Sequence, residues 1–219
     1  MQAMTVSIAL ASADSDGICL SQSPAGGGVQ SLTLNGALVV AGVAYLGSQR
    51  RVLITSSGND STNTFTVTGT NWAGDVISET LTGPNAPATV YTDLDYLTVT
   101  SITISGNAVG NITVGTNGIG GSPWVRFDDF APSNISIQCN VNGTVNYTVQ
   151  STLDDPNDPF YPIIPADMIW INSSDLAVVS ANSSQQSNFL FTPKYARVLI
   201  NSGTGTMTAT FLQSSNGPK

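Results

Sequence analysis

ISIQCNVNGTVNYTVQS, residues 135–151, alternates apolar and polar positions twice over. Ile135, Ile137, Cys139 and Val141 share one face of the first half, and Val145, Tyr147 and Val149 share one face of the second. A period of two belongs to a strand, because successive side chains leave its backbone on opposite sides. Asn142-Gly143 lies between the halves, and an Asn-Gly pair readily supplies the two positive φ angles of a type I′ turn. The stretch predicts a β-hairpin and an all-β fold for the chain around it.

The same pattern recurs on both sides. SITISGNAVGNITVG, residues 101–115, predicts a second hairpin, with Ile102 and Ile104 before the Gly-Asn punctuation and Ile112 and Val114 after it. ARVLINSGTGTMTATFLQ, residues 196–213, predicts a third, with Val198 and Ile200 facing Met207, Ala209 and Phe211 across Ser202–Gly205. TFTVTGTNWAGDVISETLTG, residues 64–83, predicts a fourth, whose tip displays Trp72. Its second strand carries Glu79, the only glutamate, on the same face as Ile77 and Leu81. That strand is therefore either bulged or only half buried. SLTLNGALVV, residues 31–40, holds a further Asn35-Gly36 turn signal. No long window repeats apolar residues at helical spacing.

Strands at regular spacing, punctuated by turn residues, predict two small antiparallel β-sandwich or barrel-like domains. A chain of 219 residues is long enough for two such cores. VGTNGIGGSPW, residues 114–124, reads as a linker and places the boundary at 118/119. The expected organisation is an extended arm at 1–30, a β domain at 31–118 and a second at 119–219. The arm is rich in glycine and serine and has too few alternating apolar positions to fold alone. DDPNDPFYPIIPADM, residues 154–168, carries four prolines and cannot be a central strand. It predicts a long ordered loop with apolar anchors at Phe160, Tyr161, Ile163 and Ile164.

Composition excludes several function classes. Charged residues make up 9% of the chain, against about 25% in ordinary domains. Net charge is −8 with six basic residues, which gives phosphates no basic footprint. Nucleic acid and anionic membranes are not expected partners. No apolar run approaches a membrane span, and the first residues lack the positive segment of a signal peptide. Cys19 and Cys139 are too few for a disulfide framework and are expected as free thiols, Cys139 on a buried face.

The absence of histidine removes the usual general base, the hydrolase triads and the commonest zinc ligand. GGG at 26–28 is not followed by the Lys-Ser/Thr of a phosphate loop. Asp128-Asp129 and the Asp154-Asp155-Pro-Asn-Asp158 run could gather oxygen ligands, but the second departs from the calcium-loop pattern. Asp and Asn beside Pro are ordinary turn formers. No two acids stand out as a glycosidase pair. No catalytic, metal or cofactor site is expected, and the chain reads as a non-enzyme. Trp124 and Trp170 are expected to fill cores. Trp72, Phe160, Tyr161 and Ile163 are the candidate interface residues.

SGNDS (57–61), FTVTGT (65–70), ISETLTGPN (77–85), TVTSITISG (98–106) and GNITVGTNG (110–118) occur in series. The series resembles a segment of small virion structural proteins of tailed bacteriophages. GTVNYTVQSTLDDP (143–156) and ARVLINSGTGTMTATFLQ (196–213) resemble the C-terminal continuation of that segment in the same proteins, so the likeness spans most of the chain. It implies a particle component made in a bacterial cytoplasm, with the major capsid protein or other virion proteins as partners. A capsid decoration or cement protein, a trimer, is the leading expectation. The alternatives are a tail, collar or head-to-tail component and, in a different class, a glycan-binding module.

Overall fold

The structure, a computed structural model, describes residues 2–85, 87–131 and 134–214. Among these residues there is no α-helix, and the regular structure is antiparallel β-sheet with two short 3-10 turns. The chain forms two compact units. One combines Met1–Leu10 with Ile119–Lys219, and the other is Ala11–Gly118. The second unit is thus inserted in the sequence of the first, which makes them an inserted and a framing unit. Both are sandwich-like.

The arm expected at residues 1–30 is not an arm. Gln2–Ala9 is strand β1 of the framing unit, paired residue for residue with a strand at the far end of the sequence. Residues 11–30 belong to the inserted unit, where Ile18 and Cys19 are fully buried. Alternation at Met4, Val6 and Ile8 is too short to fold alone, but it suffices for a strand added to a sheet made elsewhere.

The inserted unit contains β2 (Asp14–Gln22), β3 (Gln30–Ser31), β4 (Val39–Val40), β5 (Val43–Arg50), β6 (Val52–Ser56), β7 (Thr64–Thr70), β8 (Val76–Thr82), β9 (Ala88–Tyr91), β10 (Tyr96–Ile104) and β11 (Ile112–Thr116). One sheet has the order β4-β5-β10-β7-β8, with β3 also on β10, and the other has the order β2-β11-β6-β9. Phe65, Val67, Val99, Ile102 and Ile104 from the first sheet are fully buried, as are Val52, Ile54, Ile112 and Val114 from the second.

β7 and β8 form the one expected hairpin of the four that is a hairpin, in unbroken register from Thr64↔Thr82 to Thr70↔Val76. The bulge lies elsewhere, in β10 between Val99 and Ser101, opposite Gly69 and Thr68. It shifts the phase so that Val99, Ile102 and Ile104 are all buried. β8 is the half-buried alternative: Ile77 is buried, while Glu79 is half-buried and its carboxylate accepts the N–H groups of Asp93 and Leu94, both at 2.9 Å. The tight two-residue turn near residue 40 is at Ala41-Gly42, both at positive φ, between paired Val40 and Val43. Asn35-Gly36 makes no such turn. Gly36 lies against the Gly17 backbone, where a Cβ would collide.

The framing unit continues with β12 (Gly120–Gly121), β13 (Val125–Arg126), β14 (Ile135–Asn142), β15 (Val145–Thr152), β16 (Ile171–Asn172), β17 (Gln185–Phe189), β18 (Tyr195–Gly203) and β19 (Thr206–Gln213). Its sheets have the orders β1-β19-β14-β17 and β12-β18-β15-β16, with β13 also on β18. The stretch read as a linker at 114–124 runs from the end of β11 through residues 117–119 to β12, where Gly120 and Gly121 pair with Ile200 and Leu199, and the two units divide within it, between Gly118 and Ile119.

β14 and β15 are not hairpin partners. They lie in different sheets, as do β18 and β19, and β10 and β11. Three of the four expected hairpins are therefore crossings from one sheet to the other. The two crossings of the framing unit stack, with the Gly205 N–H on the Thr144 carbonyl at 2.8 Å and Gly143 and Gly203 at positive φ. The alternating apolar residues of each strand pair thus meet face to face across one core. Ile135, Ile137 and Cys139 are buried there with Val145, Tyr147 and Val149. Phe127, Phe189 and Phe211 pack in the same core with ring centroids 5.8–6.4 Å apart.

Candidate functional site

Phe160, Tyr161 and Ile163 lie on one loop of the framing unit, between β15 and β16. Trp72 lies in the inserted unit, at the tip of the β7–β8 hairpin. The loop does not anchor itself through the residues expected to do so. Phe160 is 81% exposed and Tyr161 83% exposed, and Ile164 is also exposed. Its anchors are Met168, which is buried, and Trp170.

Trp124 and Trp170 do not enter the sandwich core, contrary to expectation. They pack on the outer face of the β15–β18 sheet, ring to ring at 5.4 Å. Trp170 covers the Arg197 guanidinium at 4.4 Å, and Trp124 meets Tyr195 edge-on at 6.1 Å. The Arg197 Nε donates to Gln150 Oε1, and Gln150 Nε2 donates to Asn172 Oδ1, both at 2.9 Å. Arg197 and Gln150 are outward residues of β18 and β15, so strand alternation places the floor of this layer.

The acidic run 154–158 fixes the loop backbone. Asp158 Oδ1 accepts the N–H groups of Phe160 at 2.8 Å and Tyr161 at 2.9 Å. Those two bonds hold the Asp158 carboxyl below the usual carboxylate range. Asp154 Oδ2 accepts the Ile169 N–H at 2.6 Å, which closes the far end of the loop. Asp155 is buried and accepts from the Asn157 N–H at 2.9 Å and the Tyr195 hydroxyl at 3.2 Å. Its Oδ2 faces Arg126 at 3.4 Å and Lys194 at 3.8 Å, and Lys194 also bonds Asp129 at 2.7 Å. In the other run, Asp128 Oδ1 accepts the Phe130 N–H at 2.9 Å. Both runs act as turn formers. Among the described residues no group of three ligating side chains converges on a metal position.

The result is a stiff loop that holds two aromatic rings in water. Four prolines limit its backbone, and three aspartates satisfy N–H groups that a free loop would leave to solvent. Beside its two ends is an apolar groove of about 190 Å³, with Leu153, Ile171, Phe189 and Phe191 among its lining residues. Leu190, beside Phe191 just beyond the end of β17, is 84% exposed. Leu153, Ile171, Leu190 and Phe191 were not among the residues singled out from the sequence. The signal was present in Phe189-Leu190-Phe191, where three consecutive apolar residues break the alternation just before Pro193.

Trp72 is 37% exposed. Its N–H donates to Gln49 Oε1 at 3.0 Å. The tip is closed by Asn71, whose Oδ1 accepts the N–H groups of Ala73 and Asp75 at 2.9 Å, with Gly74 at positive φ. The hairpin tip is a hydrogen-bonded turn that leaves Trp72 partly exposed.

Two buried polar side chains of the inserted unit escaped the sequence reading. Asp60, in the SGNDS stretch, is fully buried. Burial would raise its pKa, but hydrogen bonds from Ser56, Val109, Asn63 and Gly110 outweigh it and hold the carboxyl below its ordinary value. Arg50 is 2% exposed and donates to the backbone carbonyls of Ser12 and Asn117. Both hold loops.

No protein-family model matches the chain, and no curated protein matches it.

Proposed function

We propose that this chain is a structural protein of a tailed-bacteriophage particle, acting as a capsid decoration protein that stabilises the head through repeated contacts. The reading draws on the resemblance carried by SGNDS, ISETLTGPN and GNITVGTNG and their companions in series. The observation that carries it is the exposure of Phe160 and Tyr161, at 81% and 83%, on a backbone pinned by Asp158. Exposed apolar groups held by a rigid backbone suit a docking surface, because little entropy is lost when a partner covers them. The charge-poor surface supports the same role, since close packing then strips water from few ions. The partner is the major capsid protein or a neighbouring virion protein, and the role is contact rather than turnover.

The test is quantification of the chain, against the major capsid protein, in particles purified from the host that produces it. A decoration protein is present in copy numbers on the scale of the shell. A copy number on the scale of a tail or collar ring assigns it there instead, and absence from the particle sinks the proposal. Phe160→Ser with Tyr161→Ser should reduce incorporation while the purified variant keeps its melting temperature.

A further inference from the structure

The sheet β1-β19-β14-β17 contains no charged side chain in any of its four strands. The chain around it carries a net charge of −8. Net charge of one sign opposes self-association, and a contact surface without charge adds no close like-charge pairs to that repulsion. This sheet offers one, and it ends in an open strand edge.

An exposed edge is a template for another strand, and proteins that stay single protect their edges with charge, proline, bulges or short length. Most edges here are protected. β2 carries Asp14 and Asp16 and shifts register twice against β11. β8 carries Glu79 and follows Asp75. β9 has four residues, and β3, β4, β12, β13 and β16 have two each. β17 has five residues and lies beside the 3-10 turn Leu176–Val178. β1 differs from all of them. It runs eight residues, QAMTVSIA, with no charge, proline, glycine or bulge, in unbroken register with β19. Among the described residues, no strand pairs with its other side.

We infer that β1 is a self-pairing edge, joining two copies of this chain by antiparallel β1–β1 pairing into one continuous eight-stranded sheet. With Val6 opposite Val6 of the second copy, Met4 faces Ile8 and Thr5 faces Ser7. Every apolar side chain then stays on the core side, and Met4 and Val6, now only partly buried, gain cover. On the outer face, the hydroxyl pairs Thr5–Thr210 and Ser7–Thr208, both at 3.1 Å, continue into new Thr–Ser pairs. The contact is two-fold, so it makes pairs, and a three-fold cluster needs another surface. A strand of eight residues is ~26 Å long. A strip of that length covers less than the ~1,200–2,000 Å² of a standard interface, so the pair is reversible and concentration-dependent. The inference stands independently of the particle assignment.

Sedimentation equilibrium on the full chain, over a wide concentration range, tests it. The wild type should show a monomer–dimer equilibrium, and amide exchange in residues 2–9 should slow as concentration rises. Thr5→Lys, at an exposed outer position, should weaken the dimer at least about tenfold by bringing like charges to the two-fold. Ser7→Lys is the second variant, and retained melting temperature confirms that each folds. Asn140→Lys, on the same face two strands away, should leave the constant unchanged. A chain that stays monomeric throughout, or a dimer that Thr5→Lys and Ser7→Lys do not weaken, overturns the inference.

Discussion

The Arg50 guanidinium donates to the Asn117 carbonyl at 2.7 Å and reaches the Ser12 carbonyl at 3.5 Å. Those two carbonyls flank the points where the chain passes into and out of the inserted unit. One buried side chain on β5 therefore ties both passages. Burial lowers its pKa and the nearby Asp14 carboxylate opposes that, so the group remains a cation. Arg50→Met leaves both carbonyls without this donor and should destabilise the inserted unit by about 2–4 kcal/mol. Denaturant titration followed by hydrogen exchange of peptides from residues 43–118 measures it. A loss no larger than an exposed substitution causes would show that the tie contributes little.

The Asp60 carboxyl has a folded pKa below its unfolded one, despite burial, because four donors converge on it. Its contribution is complete above the unfolded carboxylate range and is lost as pH falls through the folded value. The inserted unit should therefore weaken below about pH 4. Asp60→Asn turns one acceptor toward donors and should cost about 2 kcal/mol at neutral pH while flattening the acid limb. An unchanged acid limb in that variant would remove Asp60 from the account.

Cys19 and Cys139 lie buried, one in each unit, and both are free. Burial pushes the Cys19 thiol up to about 12 and the Cys139 thiol up to about 11. At pH 8 neither supplies thiolate, so alkylation should follow only the opening of the unit that holds it. The two rates then report the two units separately. Rapid labelling of native protein at either position would contradict its burial.

Phe160 and Asp155 sit five positions apart on one loop and should behave in opposite ways. Phe160→Ser, at a site 81% exposed, should change stability by less than about 0.5 kcal/mol. Asp155→Ala removes the acceptor of the Tyr195 hydroxyl and the buried carboxylate facing Arg126 and Lys194, although Lys194 keeps Asp129. It should cost about 2–3 kcal/mol and loosen the loop. Thermal melts of the two variants, with proteolysis at residues 154–168, check both.

Strand positions were legible because burial follows alternation directly, as at Ile135, Ile137 and Cys139. Strand partners were not. Alternation states which face is apolar, and an inward face looks the same whether the next strand lies beside it or across the core. Gly143 has the positive φ that its Asn-Gly signal promised, yet the turn there changes sheets. β1 was hidden for a related reason, since nothing local marks a partner so far along the chain. The candidate surface was legible in part. Proline density showed a stiff loop, but which of its apolar residues faced water depended on Met168 and Trp170 finding the sheet first.

The pairing of β1 with β19 joins residues 205 positions apart, as at Thr5 and Thr210. A ribosome adding about 5–20 residues per second therefore exposes β1 for some tens of seconds before its partner emerges. The inserted unit, contiguous in sequence, can fold during that interval, and the framing unit cannot close until synthesis has passed β19. Nascent chains on a crowded polysome would meet one another with this strand still undocked. Slow codons or a chaperone acting late in synthesis would then matter more to this protein's yield than any event at its beginning.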